Sequence, residues 1–192
     1  MRDEDTNFKR PYLWLMLTVL DKTFVPFIDH ETLQNRIAEL AQQINKDYAG
    51  RRPLIVGVLN GAVLFTADLL KNLTIDCEIT FIRVASYQET ASTGQVKQIL
   101  GLTEAVEGRD LIVVEDIVDT GLTMVEVYRL LMAQKPASVA IATLLYKPAA
   151  LQTPIQLDYV GFSIENKFVV GYGLDYNGLG RNTKDIYVLK ES

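Results

Sequence analysis

The stretch from Leu111 to Thr123, with the sequence LIVVEDIVDTGLT, decides the fold. Its first four residues are all apolar, which is the pattern of a buried central strand in a parallel sheet. Three acidic residues follow, namely Glu115, Asp116 and Asp119. They come at the predicted carboxyl end of the strand, where open α/β sheets bind their ligands. The stretch therefore predicts an α/β protein with a ligand site where this strand ends.

The residues after the strand have the chemistry of a phosphate site. They combine hydroxyl groups, a conformationally permissive glycine and backbone N–H groups at the start of a predicted helix over residues 123–134. A helix N-terminus of this kind binds anions. The set consists of Asp119, Thr120, Gly121, Leu122 and Thr123.

The adjacent acids Glu115 and Asp116 suit a hydrated magnesium ion and the hydroxyl groups of a sugar. In a simpler alternative, Asp119 or Thr120 only caps the helix and the two acids are a solvated strand end. We favour the ligand site because the acids and the phosphate-binding residues occur together.

The rest of the chain repeats the alternation of strands and helices. We expect one helix from the N-cap Asp29 to about Tyr48 and another over residues 63–72. A polar stretch, residues 87–98, is interpreted as a loop or a loosely held hairpin. Apolar runs predict further strands at residues 54–58, 77–86, 139–145, 159–164, 169–172 and 186–189. This order predicts a mainly parallel sheet flanked by helices, with some of the last strands forming a small lobe.

Size and composition are those of a single globular domain. The chain has 192 residues, of which 48% are hydrophobic and 22% are charged. We expect residues 1–20 to be an N-terminal extension and residues 21–192 to form the domain. The apolar run from Tyr12 to Leu20 is shorter than the roughly 20 residues of a membrane span. It also follows an acidic leader, so we expect no membrane insertion.

Charge and residue usage argue against several functional classes. The formal net charge of -5 disfavours a general nucleic-acid binder. One histidine, His30, cannot build a histidine-rich zinc site, and one cysteine, Cys77, cannot form an intramolecular disulfide. The cysteine usage indicates a reducing compartment, and we expect a cytoplasmic protein. No P-loop occurs, and Gly171-Tyr172-Gly173 lacks the third glycine and the strand-to-helix context of a dinucleotide fingerprint.

The sequence from Val113 to Thr123 resembles the phosphoribosyl pyrophosphate motif of the type I phosphoribosyltransferases. The acids and the C-terminal segment resemble in particular the hypoxanthine-guanine members of that family, over roughly residues 21–192. The resemblance implies a mainly parallel central sheet flanked by helices, with a small base-binding lobe. It implies magnesium-dependent transfer of a phosphoribosyl group to N9 of hypoxanthine or guanine, with phosphoribosyl pyrophosphate and a 6-oxopurine base as substrates. Homodimers or homotetramers are also implied.

The same resemblance assigns residues to the sugar and the phosphates. Glu115 and Asp116 would orient the ribose hydroxyls and bind magnesium, and residues 120–123 would bind the 5′-phosphate. Leu59-Asn60-Gly61-Ala62 resembles the pyrophosphate loop, in which family members can hold a non-proline cis peptide before the second residue. Many relatives have lysine where Asn60 stands, which puts one charge contact in doubt.

Three further residues resemble an arginine and a flap of the family. Arg181 resembles the arginine that contacts pyrophosphate, and Ser86-Tyr87 resembles the start of the flap that closes over the reacting centre. An ordinary surface arginine and a plain surface loop are the simpler alternatives.

For the base, the resemblance points to five residues. Lys147 would bind the purine 6-oxo group, Phe168 would stack on the ring and the Val169 backbone would hydrogen-bond its edge. Asp119 would act as general base or acid at purine N7. Asp175 would coordinate a second magnesium near the purine edge, joining Glu115 and Asp116 as a metal ligand. Taken alone, Phe168 would more often be a core residue.

Two other functions remain open. One is a xanthine- or guanine-preferring phosphoribosyltransferase of the same type. The other is an RNA-binding regulator on this fold, against which the acidic balance and the retained Lys147, Phe168 and Asp175 count.

Overall fold

The computed structural model describes residues 16–86 and 96–191 of the chain. This part consists of two sheets and three helices. In chain order the elements are β1 (Leu17–Val19), β2 (Lys22–Ile28), α1 (His30–Asp47), β3 (Leu54–Leu59), α2 (Val63–Asn72), β4 (Glu78–Ser86), β5 (Val96–Leu100), β6 (Asp110–Val118), α3 (Leu122–Met132), β7 (Ser138–Tyr146), a 3₁₀ turn (Pro148–Ala150), β8 (Tyr159–Ser163), β9 (Val169–Val170) and β10 (Ile186–Leu189).

The main sheet has the strand order β5-β4-β3-β6-β7-β8. The strands from β4 to β8 in this order pair in parallel, and β5 pairs antiparallel with β4 at one edge. β3 and β6 lie at the centre and are covered on both faces, which is why both are nearly continuous apolar runs. The predicted α/β fold with a mainly parallel sheet is confirmed.

Alternate residues of the central strands pack into two apolar clusters, one on each face of the sheet. Ile55 and Ile112 pack with the buried residues of α1 and α2. Leu54 and Leu111 pack with those of α3. The helices therefore cover both faces, and this leaves the edges of the sheet for binding.

Helix α1 begins at the predicted N-cap. Asp29 Oδ1 accepts a hydrogen bond from the Thr32 backbone N–H at 2.7 Å. On the same helix, Arg36 reaches the edge strand β8 and donates hydrogen bonds to the carbonyl oxygens of Val160 and Gly161, both at 2.8 Å. The buried face of the helix consists of Leu33, Ile37, Leu40, Ala41 and Ile44.

Strand β6 continues four residues beyond the predicted end at Val114. Its ladder with β7 extends through the pairs Ile117–Leu145 and Val118–Tyr146. Glu115 and Asp116 therefore lie inside the strand rather than after it. The sequence indicated an earlier end because two charged residues interrupt the apolar run.

The small antiparallel sheet has the order β1-β2-β10-β9. The sequence predicted strands at β9 and β10 but none at β1 and β2. One reason is Pro26, because proline disfavours strands that pair on both sides. β1 pairs only with residues 22–24 of β2, so Pro26 lies beyond that ladder. The sheet's own apolar cluster consists of Val19, Phe24, Val170 and Tyr187.

β1 begins before the predicted boundary between residues 20 and 21. Residues 17–19 are therefore part of the small sheet, whereas most of the predicted N-terminal extension lies outside the described residues. The division into extension and domain stays a prediction. No helix in the described ranges combines the length and the apolar character that crossing a membrane requires.

Candidate active site

Site residues predicted on three strands meet at the carboxyl edge of the main sheet. Asn60 and Gly61 follow β3, Glu115 and Asp116 lie near the carboxyl end of β6, and Lys147 follows β7. Because β3, β6 and β7 are parallel neighbours, their carboxyl ends lie side by side. This is the edge at which open α/β sheets bind ligands.

A cleft of about 120 Å³ opens where α3 begins. Gly121 is the N-cap of α3 and has a left-handed φ of 79°. A Cβ at this position would lie 2.8 Å from Leu151 Cδ1 and 2.9 Å from Thr153 O, so the turn requires glycine. Since glycine has no side chain to cap the helix, the first N–H groups of α3 remain suited to an anion. The cleft is lined by Glu115, Ile117, Val118, Asp119, Thr120, Gly121, Thr123 and Met124.

Among residues 119–123, which were predicted to form the phosphate site, Leu122 is the one that does not line this cleft. Its side chain is exposed, and its backbone N–H donates to Thr120 Oγ1 at 3.4 Å. Any contribution of Leu122 to the site would therefore come from the backbone.

Glu115 and Asp116 place two carboxyl groups close together in a poorly solvated position. Burial and the neighbouring Asp116 carboxyl raise the pKa of Glu115 well above its usual range. Burial also raises the pKa of Asp116, although the hydrogen bond from the Ile117 N–H and the charge of Arg181 oppose the shift. Within the described part of the chain, Glu115 Oε2 is buried without a hydrogen-bond partner. Glu115 therefore presents a buried oxygen that a hydrogen-bond donor or a cation of a ligand could satisfy.

A magnesium ion fits these carboxylates only if other ligands complete its shell. Over residues 16–86 and 96–191, no three histidine, cysteine or acidic side chains gather as a metal-binding cluster. Asp175, the third predicted ligand, lies 2.6 Å from Arg181 Nη2 and accepts a 2.6 Å hydrogen bond from the Gly178 N–H. Magnesium commonly binds one or two carboxylates and takes its other oxygens from water and phosphates. The unpartnered oxygen of Glu115 and the all-oxygen donor set fit such an ion.

Lys147 and Asp119, both predicted to act on the base, are in direct contact. Lys147 Nζ lies 3.0 Å from Asp119 Oδ2. The lysine is only 6% exposed, whereas 44% of the Asp119 side chain is exposed. A buried ammonium is thus held beside a partly accessible carboxylate that lines the cleft, and a ligand that reaches Asp119 would lie close to both groups.

The pyrophosphate loop and the C-terminal segment touch through two glycines. A Cβ on Gly61 would lie 1.5 Å from Asp116 Oδ2, and a Cβ on Gly173 would lie 2.0 Å from Gly61 O. Gly173 is also held by Arg181, which donates from Nη1 to its carbonyl at 2.6 Å. The site residues predicted on distant segments are therefore brought together by backbone packing. Gly173 was not among the predicted site residues, although its spacing from Gly171 could have drawn attention to it.

A polar network behind the C-terminal segment was also missed. Asp68 Oδ2 accepts hydrogen bonds from Tyr172 OH at 2.5 Å and from Gln34 Nε2 at 2.7 Å. Partial burial disfavours ionisation of Asp68, but hydrogen bonds from Lys71, Tyr172 and Gln34 outweigh it and lower the pKa. Burial and the Asp68 carboxylate raise the pKa of Tyr172. The network joins α1 and α2 to the residue next to Gly173.

Phe168 and Val169 occupy different environments. Phe168 is 42% exposed and packs against Phe24, with ring centroids 6.0 Å apart, and edge-on against Tyr176 at 5.7 Å. The remaining exposed surface of the ring is what stacking on a planar ligand requires. The Val169 side chain is buried in β9, so the backbone is the part suited to a ligand.

The pyrophosphate loop contains the cis peptide that the resemblance implies, between Leu59 and Asn60. Asn60 Oδ1 accepts a 3.0 Å hydrogen bond from Arg83 Nη2, a residue that the sequence did not single out. Ser86 ends β4, and Tyr87 lies outside the described residues. The flap assignment therefore stays a prediction.

The fold and the site together define a class of protein: an α/β protein with a cleft suited to an anion at a helix N-terminus and a pair of carboxyl groups at the carboxyl edge of its sheet. The family described as phosphoribosyl transferase domain matches residues 28–177. The hypoxanthine-guanine phosphoribosyltransferase of Bacillus subtilis (strain 168) is 43% identical over 164 residues, covering 85% of this chain and 91% of that protein. The chain therefore belongs to the phosphoribosyl transferase domain family and, within it, to the hypoxanthine-guanine phosphoribosyltransferases.

Two further relatives agree with this membership. The bifunctional protein TilS/HprT of Listeria monocytogenes serotype 4b (strain F2365) is 47% identical over 85% of this chain, and the chain spans 25% of that protein's length. A crystal structure of a hypoxanthine phosphoribosyltransferase from Staphylococcus aureus superposes with a TM-score of 0.81 at 41% identity. That superposition covers 86% of this chain and 90% of the other.

Proposed function

We propose that the protein transfers the 5-phosphoribosyl group from phosphoribosyl pyrophosphate to N9 of hypoxanthine or guanine in purine salvage. The products are IMP or GMP and pyrophosphate. The observation that carries the proposal is the 3.0 Å contact between Lys147 Nζ and Asp119 Oδ2 beside the cleft at α3. It combines a donor for an oxo group with an acceptor for a ring proton, next to a phosphate site. The names of the B. subtilis and S. aureus relatives support the same activity.

The cleft at the start of α3 holds the 5′-phosphate of the ribose. Thr120 and Thr123 donate from their hydroxyls, and the first backbone N–H groups of the helix complete the site. Glu115 and Asp116 accept hydrogen bonds from the ribose hydroxyls, which satisfies the buried Glu115 oxygen. These contacts fix the sugar so that its C1 carbon faces the base.

The base is selected by the pair at the end of β6 and β7. The Lys147 ammonium can only donate hydrogen bonds. It therefore favours a purine whose 6-oxo group accepts one and disfavours adenine, whose 6-amino group is itself a donor. Asp119 accepts or shares the proton at N7 as N9 attacks C1. Phe168 stacks on the ring, and the Val169 backbone bonds its edge.

The leaving pyrophosphate is bound by the loop after β3 and by Arg181. Backbone N–H groups at Asn60 and Gly61 and the Arg181 guanidinium stabilise the charge that develops as the bond between C1 and pyrophosphate breaks. Glu115, Asp116 and Asp175 would hold magnesium, and the bound ion would supply Lewis-acid neutralisation of that charge. Ser86 and Tyr87 belong to a proposed flap that excludes water.

A panel of bases tests the proposed function. The protein is incubated with magnesium, phosphoribosyl pyrophosphate and, in turn, hypoxanthine, guanine, xanthine, adenine and uracil, and nucleotide formation is measured. We expect turnover with hypoxanthine and guanine and none with adenine or uracil. A preference for xanthine would instead assign the protein to the xanthine- or guanine-preferring phosphoribosyltransferases. The absence of nucleotide with every base would reject the proposal, and salt-dependent RNA binding would then support the RNA-binding alternative.

We also propose that the chain assembles as a homodimer or homotetramer, on the strength of the family resemblance. Light scattering coupled to size-exclusion chromatography measures the mass directly. One chain has a mass of 21.5 kDa. A measured mass equal to that of one chain at all tested concentrations would contradict the proposed oligomer.

A further inference from the structure

Arg83 lies on β4 beside the pyrophosphate loop. It is in register with Leu59, the last residue of the neighbouring strand β3. Its Nη2 donates a hydrogen bond to Asn60 Oδ1 at 3.0 Å. Asn60 is the position at which this chain departs from the lysine of many relatives. The structure therefore places the Arg83 guanidinium next to Asn60, in a loop that contains no charged side chain.

The charge environment of Arg83 differs from that of the other cations at this edge. Lys147 lies 3.0 Å from the Asp119 carboxylate, and Arg181 lies 2.6 Å from that of Asp175. The partner of Arg83 is the neutral amide of Asn60, and among the residues that the structure describes it forms no ion pair. The Arg83 side chain is exposed. Its charge is therefore accessible to an anion that reaches the loop.

We propose that Arg83 binds the pyrophosphate group of the substrate and that Asn60 holds its guanidinium in place. This rests on the proposed function, since it names a further residue for the same reaction. A guanidinium presents several N–H groups in a planar fork that matches phosphate oxygens. Asn60 Oδ1 accepts a hydrogen bond from one of these N–H groups. This contact orients the Arg83 side chain and leaves its other N–H groups for the ligand. Asn60 and Arg83 thus act together where relatives use one lysine.

The charge of Arg83 strengthens the binding of phosphoribosyl pyrophosphate and of free pyrophosphate but not the binding of the base. Arg83→Gln should therefore raise the KM for phosphoribosyl pyrophosphate and the inhibition constant of pyrophosphate by about 10- to 100-fold, the loss of one charge-assisted hydrogen bond. The KM for hypoxanthine should change by less than about twofold, since the base site is separate. A matched control is Arg52→Gln, an exposed arginine at the other end of the sheet that pairs with Glu78 at 3.4 Å. It should leave all three constants unchanged.

Two further variants separate a charge contact from a structural role. Arg83→Lys should keep the inhibition constant of pyrophosphate within a few-fold of wild type. Asn60→Lys added to Arg83→Gln returns a cation to the loop and should recover most of the lost affinity. A structural defect would respond to neither, and it would raise the hypoxanthine KM as well.

The outcomes distinguish this inference from the proposed function. If the wild-type protein forms nucleotide and Arg83→Gln binds pyrophosphate normally, the role of Arg83 is refuted and the proposed function stands. The same holds if Asn60→Lys restores nothing, or if Arg83→Gln weakens base and pyrophosphate binding equally. If the wild-type protein forms no nucleotide and pyrophosphate does not bind, both are refuted.

Discussion

Gly173→Ala tests the backbone contact that joins the C-terminal segment to the pyrophosphate loop. A Cβ at this position would lie 2.0 Å from Gly61 O, and ordinary contact begins at 3.4 Å. The two segments must therefore move apart by about 1.4 Å, the difference between these distances. The obstacle is a backbone carbonyl, so no side-chain rotation can relieve the clash.

Two costs add up in this variant. Residue 173 has a φ of +100°, and such a conformation costs about 1–2 kcal/mol for a residue with a Cβ. Overpacking costs about 1–3 kcal/mol more. Natural domains have a free energy of unfolding of about 5–15 kcal/mol, so we expect a folded but less stable protein. A displacement of about 1 Å near the reacting groups should reduce kcat/KM about 100-fold.

The assays are the melting temperature and kcat/KM for phosphoribosyl pyrophosphate. Each kcal/mol should lower the melting temperature by about 2–4 °C in a chain of this size. Gly108→Ala is the matched control, because Gly108 also has a positive φ, of +71°, but nothing lies within 4 Å of a Cβ there. It should show the conformational cost without loss of activity. Equal melting temperatures for the two variants, with wild-type kcat/KM in Gly173→Ala, would refute the reasoning.

Three other substitutions address the site and its support. In Asp119→Asn, the amide oxygen can still accept from Lys147, so the melting temperature should hold while kcat falls about 100-fold or more; wild-type kcat in the folded variant would reject Asp119 as the proton acceptor. Lys147→Met should raise the KM for hypoxanthine much more than that for phosphoribosyl pyrophosphate, and equal changes in steady-state assays would argue against a role in base recognition. The lowered pKa of Asp68 stabilises the fold above its unfolded pKa of about 3.9, and this contribution is lost as pH falls through the folded pKa. Asp68→Asn should therefore be less stable at neutral pH and show a smaller loss between about pH 5 and 3 in urea unfolding; parallel curves for the two proteins would contradict this.

The main sheet could be predicted because its central strands are buried on both faces. Such strands leave a continuous apolar run in the sequence, as at residues 54–58 and 111–114. The end of β6 was harder to place, since its last residues are held by pairing with β7 while Glu115, Ile117 and Val118 line the cleft. The strands β1 and β2 give no such signal, because pairing with the distant β10 stabilises β2.

For the site, proximity within the sheet was easier to anticipate than contacts across the fold. Asp119 and Lys147, both assigned to the base, follow neighbouring parallel strands, so their proximity needs only the strand order. Gly173 contacts Gly61 through a loop whose path depends on the small sheet. Arg83 looks like any surface arginine until β4 is aligned with β3. Both contacts depend on tertiary packing, which local sequence patterns do not predict.

The hydrogen bonds from Arg36 to Val160 and Gly161 affect how copies of the chain can associate. An edge strand with open carbonyl groups is a template onto which another chain can add its own strand. At β8 a guanidinium already occupies two of these carbonyls. An incoming strand would have to displace a cation from α1, so sheet-to-sheet aggregation through β8 is disfavoured. At this edge, association of copies through side-chain surfaces is therefore favoured over extension of the main sheet.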